Sequence, residues 1–272
     1  MTPPDPAQAG VDGVILVDKP AGVTSHDVVA ATRRRLGKGV KVGHAGTLDP
    51  FATGLLLVLV GRATRVQRFL MALPKRYETV AQLGWTSTTG DRDGEILPGR
   101  MPDDPLRLPT GRISQTPPAH SAVKVDGVRA YTLARRGETV DLAAREVEVS
   151  AFDVAWREGD RVGLSIACSS GTYVRALVAD LHDAYCLELR RTAIGDFDVA
   201  DADPDRIIGL DQALGHLPAI ELSEEDGRRA GHGQAIVARA DSTVRLRDPD
   251  GLVALADPRP DGTVKAVVGF RG

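Results

Sequence analysis

Short apolar runs of strand length alternate along this chain with turn-forming clusters, and only a few stretches carry helical spacing. Gly13 to Val17 is a short apolar strand, ended by Asp18-Lys19-Pro20-Ala21-Gly22, where Pro20 fixes one backbone angle and Gly22 permits a turn. Thr24 or Ser25 can then cap a helix from about His26 to Leu36, with Val28, Val29, Ala31 and Thr32 on one face and Gly37 as its stop. Ala52 to Leu59 is apolar throughout, as a strand buried on both faces would be, and Ala63 to Leu73 returns to helical spacing. Tyr77 to Leu83 alternates and reads as a strand with Tyr77, Thr79, Ala81 and Leu83 on one face.

The second half is less regular. Residues 84–118 are rich in Gly and Pro and predict loops with at most one short helix. Residues 121–142 mix Lys124, Arg129, Arg135 and Arg136 with Tyr131, which suits either an RNA clasp or a solvated hairpin and helix. Val147 to Val154 and Val162 to Ala167 predict paired strands. After the Ser169-Ser170-Gly171 turn, Tyr173 and Arg175 stand two apart on a chain read as extended, and so share a face. A helix is expected from Ala176 to about Tyr185, then Leu187 to Arg191, then a strand from Ile194 to Val199. Beyond Pro218 come short runs at 235–237, 243–246, 252–256 and 264–268, a small β appendage.

Composition sets the class. With 272 residues, 42% of them hydrophobic and 26% charged, the chain can bury a core without staples. Cys168 and Cys186 form neither a disulfide framework nor a zinc site and suit a reducing, cytoplasmic setting. No apolar run reaches the length of a membrane span, and the start of the chain, with residues 1–12 read as a loose tail, lacks a secretory pattern. His182 and Cys186 lie four apart without a second ligand pair, and Asp91-Arg92-Asp93-Gly94 lacks the closing glutamate of a calcium loop. Dinucleotide, P-loop and nucleophile-elbow motifs are missing, so no cofactor or metal is expected.

Charge changes the picture. The formal net charge is -3, yet from Ala31 to Arg76 ten basic side chains (Arg33, Arg34, Arg35, Lys38, Lys41, Arg62, Arg65, Arg68, Lys75, Arg76) surround a single acid, Asp49. Such segregation suits a polyanion on one face; a solvated basic helix end is the alternative. Asp49 sits in Gly43-His44-Ala45-Gly46-Thr47-Leu48-Asp49-Pro50, between glycines and a proline. It can be a nucleophile, provided that a cation such as Arg175 keeps it ionised, or it can merely cap a turn before Pro50.

These residues also carry a resemblance. Asp18 to Ser25, Gly43 to Pro50 with Ala52-Thr53-Gly54 behind it, Lys75-Arg76-Tyr77, Ser121-Ala122-Val123-Lys124, Cys168 to Arg175 and Leu189-Arg190-Arg191-Thr192 together closely resemble the bacterial TruB family, in order along nearly the whole chain. The resemblance implies a tRNA pseudouridine synthase acting on uridine 55 of the T loop. It puts Asp49 on the catalytic nucleophile, Tyr77 on a tyrosine that stacks on the flipped base and helps remove the C5 proton, and Arg175 on the partner of the aspartate. Tyr173 and Leu189 fall on pocket walls, His44 on a residue that takes the place vacated in the T loop, Lys19 and Pro20 on a brace behind the site, and Asp91 on an acid near the RNA. Two departures stand out: Asp180 to Leu189 is shorter than the family pattern and lacks its Gly, Ala-His-Leu stretch, and the segment from Leu97 to Pro118 is trimmed.

The fold class expected is α+β, a pseudouridine synthase fold with a mixed, mostly antiparallel sheet over residues 13–216 flanked by helices and loops. It would carry an RNA-facing insertion around 98–145 and a small PUA-like β domain over 217–272. The expected partner is tRNA, met by Arg33, Arg34, Arg35, Lys38, Lys124 and Arg129, with no guide RNA and no membrane, by a monomer. The rivals are a tRNA-folding factor acting by binding alone and an RNA-guided synthase.

Overall fold

The computed structural model describes residues 12–271 apart from 119, 120, 122, 126, 131, 132, 134, 135, 137, 139 and 140. The expected tail, Asp12 excepted, lies outside the described residues, as do Tyr131 and Arg135; for Lys124 and Arg129 the backbone alone is described. In chain order come β1 (Gly13–Lys19), α1 (Ser25–Leu36), β2 (Val42–Ala45), β3 (Thr53–Val60), α2 (Gln67–Met71) and β4 (Lys75–Leu83). Then follow β5 (Trp85–Ser87), β6 (Ile96–Pro98), β7 (Gly111–Gln115), β8 (Lys124–Val125), β9 (Val128–Arg129), β10 (Arg145–Glu158) and β11 (Arg161–Cys168). A short helix, Val174–Ala179, leads into β12 (Ala184–Ile194), β13 (Phe197–Asp198) and β14 (Asp203–Gly209).

Ten of these strands form one sheet, in the order β14-β1-β3-β12-β4-β11-β10-β7, with β2 added beside β3 and β13 beside β12. Every pairing is antiparallel except β3 with β12, so the sheet is mixed and mostly antiparallel as expected. β3 explains its own unbroken apolar run. Leu55, Leu57 and Leu59 face a cluster with Val66 and Leu70, while Leu56, Val58 and Val60 face Val29 of α1. A strand covered on both sides has no polar face to show, and each buried leucine is worth about 1.5–3 kcal/mol.

The first helix starts where the sequence places it. Thr24 caps it through a reciprocal pair with Asp27, which leaves the Ser25 hydroxyl available for other use. Three expectations need correcting. Residues 84–118 contain strands and not a helix: β5 and β6 form a hairpin, and β7 completes the edge of the large sheet. Their signal is weak because only Gln115 of β7 is buried. The helix expected to reach Tyr185 ends at Ala179, since Ala184, Tyr185 and Cys186 are drawn into pairing with β4 and His182 turns the chain at φ 66°. Tyr173 and Arg175 are not on a strand: Tyr173 immediately precedes that helix and Arg175 lies in its first turn.

The C-terminal residues build a five-stranded sheet with its own apolar cluster, as the short runs predict. Its helix, Glu224–Gly231, escapes a search for apolar periodicity because only Gly227 and Ala230 are buried, although Ser223 caps it. Leu255, Val268 and Phe270 join the cluster under β3, and Arg65 donates to the Gly269 carbonyl at 2.7 Å, so the appendage packs firmly on the larger sheet. Among the described residues no helix is long and apolar enough to cross a membrane.

Candidate active site

The loop from Gly46 to Pro50 is pinned along its length. Ser25, released from capping duty, bridges both backbone groups of Leu48: its hydroxyl donates to the Leu48 carbonyl at 3.2 Å and accepts from the Leu48 N–H at 2.9 Å. The Leu48 side chain anchors in the main core. From below, the buried Lys19 ammonium donates to the carbonyls of Pro20 and Val23 at 2.9 Å and of Pro50 at 3.3 Å. Burial pushes its pKa down to about 8 against the attraction of Asp49. Lys19 thus ties the loop to the turn after β1, where Pro20 contributes its carbonyl.

Arg191, 2% exposed on β12, holds the other flank, donating to the carbonyls of Leu55 at 2.8 Å, Gly46 at 3.2 Å and Thr47 at 3.4 Å. The β3–β12 junction also explains Gly54. A Cβ there would lie 2.2 Å from the Arg191 carbonyl oxygen, and its φ of +104° is one that other residues rarely adopt.

So held, Asp49 meets the arginine that the sequence nominates. Arg175 Nε donates to Asp49 Oδ2 at 2.9 Å, while its Nη1 lies 3.2 Å from Asp91 Oδ2 and also donates to the Thr89 carbonyl. Asp91 is fixed in turn by the Thr89 hydroxyl at 2.6 Å and the Asp93 N–H at 3.1 Å. It is buried, 6% exposed, and stands behind Arg175. The Asp49 carboxyl keeps 32% exposure toward a cavity of ≈ 650 Å³. Burial pushes its pKa up, Arg175 pulls it back down and Asp91 pushes it up again, leaving it above the usual carboxylate value.

Tyr77, Leu189, Tyr173 and Arg175 line the same cavity as Asp49, so four expected site residues gather around it. Tyr77 is the cross-strand partner of Arg191. Burial raises its pKa and the Arg191 guanidinium opposes the rise, so the phenol stays neutral in the physiological range. His44 lies on β2 outside the cavity wall, its carbonyl accepting from Gln67 Nε2 at 2.7 Å. The basic window divides. Arg33 donates to the Val42 carbonyl at 3.1 Å and Arg35 pairs with Asp205, while Arg34 and Lys38 are exposed. Arg62 and Arg65 dock the C-terminal sheet, and Lys75 is buried in the cavity wall, its pKa lowered to about 8 by burial.

Sequence reasoning saw in Ser25 only a possible helix cap and gave no role to Gln115, Arg145 or Arg191. For Arg191 a signal existed, because it stands two residues after Leu189 on one strand and therefore shares its face. Among the described residues no group of three or more His, Cys, Asp or Glu could hold a metal ion.

Residues 33–174 match the family described as TruB family pseudouridylate synthase, N-terminal domain. The chain belongs to the TruB family. It is 44% identical to the tRNA pseudouridine synthase B of Thermobifida fusca over 96% of this chain and 99% of that protein. It is 46% identical to the protein of the same name from Ectopseudomonas mendocina, over 93% and 94%. The fold resembles that of an H/ACA RNP bound to a substrate RNA containing 2′-deoxyuridine, with TM-score 0.71 at 24% identity over 96% of this chain and 86% of that one. It also resembles a Cbf5-Nop10-Gar1 complex, with TM-score 0.68 at 28% identity over 93% and 80%. The chain thus has the pseudouridine synthase fold, and the family's reaction is an isomerisation.

Proposed function

We propose that this TruB-family chain isomerises uridine to pseudouridine in tRNA, at uridine 55 of the T loop, with Asp49 as the nucleophile. The relatives named above support tRNA as the substrate. The observation that carries the mechanism is the Asp49 carboxylate, open to a cavity and held at 2.9 Å by a buried arginine on a loop fixed at every turn.

A uridine inside a folded loop is out of reach until it is extruded, which costs a few kcal/mol. Stacking on Tyr77, worth about 1–3 kcal/mol, offsets that cost. Asp49 attacks the nucleotide and the C1′–N1 bond breaks. The freed uracil turns within the cavity, a C1′–C5 bond forms, the bond to Asp49 breaks and returns the free carboxylate, the C5 proton leaves and N1 gains a proton. Atoms and electrons balance without an oxidant, reductant or cofactor. Because Tyr77 is neutral, its first role is stacking, and it can take the C5 proton only as the Arg191 cation stabilises the developing phenolate. Leu189 and Tyr173 confine the base, His44 fills the place vacated in the T loop, and Arg175 and Asp91 keep Asp49 aimed and ionised.

On this reading the catalytic unit is 13–216 and the C-terminal sheet, 217–272, is a PUA-like module that adds affinity for tRNA. The chain works as a monomer, without a guide RNA, in the cytoplasm. The test is to treat a tRNA transcript with the purified protein, with no other RNA present, and map pseudouridine by carbodiimide modification and primer extension. Modification at position 55 alone is expected, and modification elsewhere, or only with a guide added, overturns it. An Asp49→Ala variant that still modifies the transcript removes the mechanism, whereas one that only binds and refolds tRNA measures how far binding alone reaches.

A further inference from the structure

Several cations line the catalytic cavity, and most are already satisfied. Arg175 is paired with two carboxylates, while Arg191 and Lys75 donate to backbone carbonyls. Arg145 is different. Its guanidinium carbon lies 4.9 Å from the centre of the Tyr173 ring, and its Nε is buried with no hydrogen-bond partner among the described residues. Stacking on a ring leaves the charge and the N–H edges of a guanidinium uncommitted.

The local sequence keeps acids away from it. Arg145 opens β10, where alternation puts Val147 and Val149 inside while Glu146 and Glu148 are exposed on the other face. The tyrosine beneath is held by its backbone: the Gln115 side chain donates to the Tyr173 carbonyl at 3.1 Å and accepts from its N–H at 2.7 Å. Gln115 is itself buried and is the register partner of Arg145. A planar cation is thus laid on a fixed aromatic wall, in the same cavity as Asp49, with donors to spare. Its fork geometry fits a phosphate, which is the anion that RNA supplies at every nucleotide.

Resting on the tRNA reading above, we infer that Arg145 receives a phosphodiester adjoining the flipped uridine, so that Tyr173 and Arg145 together hold the nucleotide by ring and backbone. The experiment pairs Arg145→Gln and Arg145→Lys with T stem-loop RNAs carrying a neutral methylphosphonate at one linkage, 5′ or 3′ of the target. Arg145→Gln is expected to bind the normal RNA about tenfold more weakly. Its plot of log affinity against log salt should be shallower by about 0.7, the increment of one phosphate on a single strand. Arg145→Lys keeps the slope and loses part of the affinity, because it retains charge without the planar fork. One of the two neutral linkages should weaken the unaltered protein about tenfold and leave Arg145→Gln nearly unaffected. An unchanged salt slope in Arg145→Gln, or an equal effect of the neutral linkage on both proteins, overturns the inference. If Arg145→Gln does not fold, the linkage series on the unaltered protein decides, and two harmless linkages overturn the inference. Binding is read independently of turnover, so a failure to form pseudouridine would overturn the function proposed and leave this measurement standing.

Discussion

Two buried arginines flank the Gly46–Pro50 loop, and they are satisfied in opposite ways. Arg175 stands between two carboxylates, Asp49 and Asp91, with one carbonyl as a third acceptor. Arg191 meets no carboxylate among the described residues and spends its donors on the carbonyls of Gly46, Thr47 and Leu55. The first arrangement tunes charge: whatever happens to Arg175 changes the protonation of Asp49. The second fixes shape, because carbonyls do not titrate and the guanidinium stays charged at any working pH. On the acidic side, where Asp49 titrates, one flank of the loop therefore answers to pH and the other does not.

The largest effect belongs to the residue both flanks serve. Asp49→Ala should lower single-turnover pseudouridine formation by on the order of 10⁴-fold or more, while tRNA affinity, measured by filter binding, stays within about threefold. Turnover near the normal rate would mean that the carboxylate only caps its turn.

Arg175 comes next. Arg175→Met leaves the half-buried Asp49 beside the buried Asp91 as unpaired like charges and should cost about 3 kcal/mol in chemical denaturation. Asp49 has a folded pKa above its ordinary value, so it binds more protons folded than unfolded between the two, and its contribution to stability falls as pH rises through that window. Arg175 is the cation that lowers that pKa, so removing it shifts the acidic limb of the kcat/KM profile to higher pH. A limb that stays in place would show that Asp49 does not titrate in it.

Arg191 sharpens the contrast. Arg191→Met strips donors from three carbonyls and should destabilise by about 2–4 kcal/mol, with a drop in kcat that is the same at every pH on the acidic side. Because Tyr77 lies opposite, the alkaline side should respond instead. If the acidic limb moves as it does for Arg175→Met, the two flanks do not differ in kind.

Much of this was legible in the sequence, and the rest failed for identifiable reasons. β1 and β3 announce themselves by apolar runs, β4 by alternation and α1 by its capping residues, of which Thr24 makes the cap. β7 was invisible because an edge strand with one buried residue has no periodicity to detect. The turn at His182 was hidden because pairing of Ala184 and Cys186 with β4 overrides the helical preference of the preceding segment. Electrostatic need nominates Arg175 as a partner for Asp49, and the two lie 2.9 Å apart, with a helix and not a strand presenting the arginine. Ser25 and Arg191 act through backbone groups, and backbone partners leave no mark in a sequence; only the place of Arg191 two residues after Leu189 points to it.

The smallest effect tests the basic window that first drew attention to Asp49. Charge counting treats Arg33, Arg34, Arg35 and Lys38 as one surface, but Arg33 is committed to the Val42 carbonyl and Arg35 to Asp205. Arg34 and Lys38 remain exposed. If tRNA meets this end of α1, replacing Arg34 and Lys38 by glutamine should lower the salt slope of binding by at most about 0.9 for each phosphate left without its cation, with no change in melting temperature. Arg35→Gln should instead leave the slope unchanged and cost less than about 1 kcal/mol, the usual worth of an exposed ion pair. A slope that responds to Arg35 and ignores Arg34 and Lys38 would mean that the pair with Asp205 opens when RNA binds, and that Arg35 and not its exposed neighbours faces the substrate.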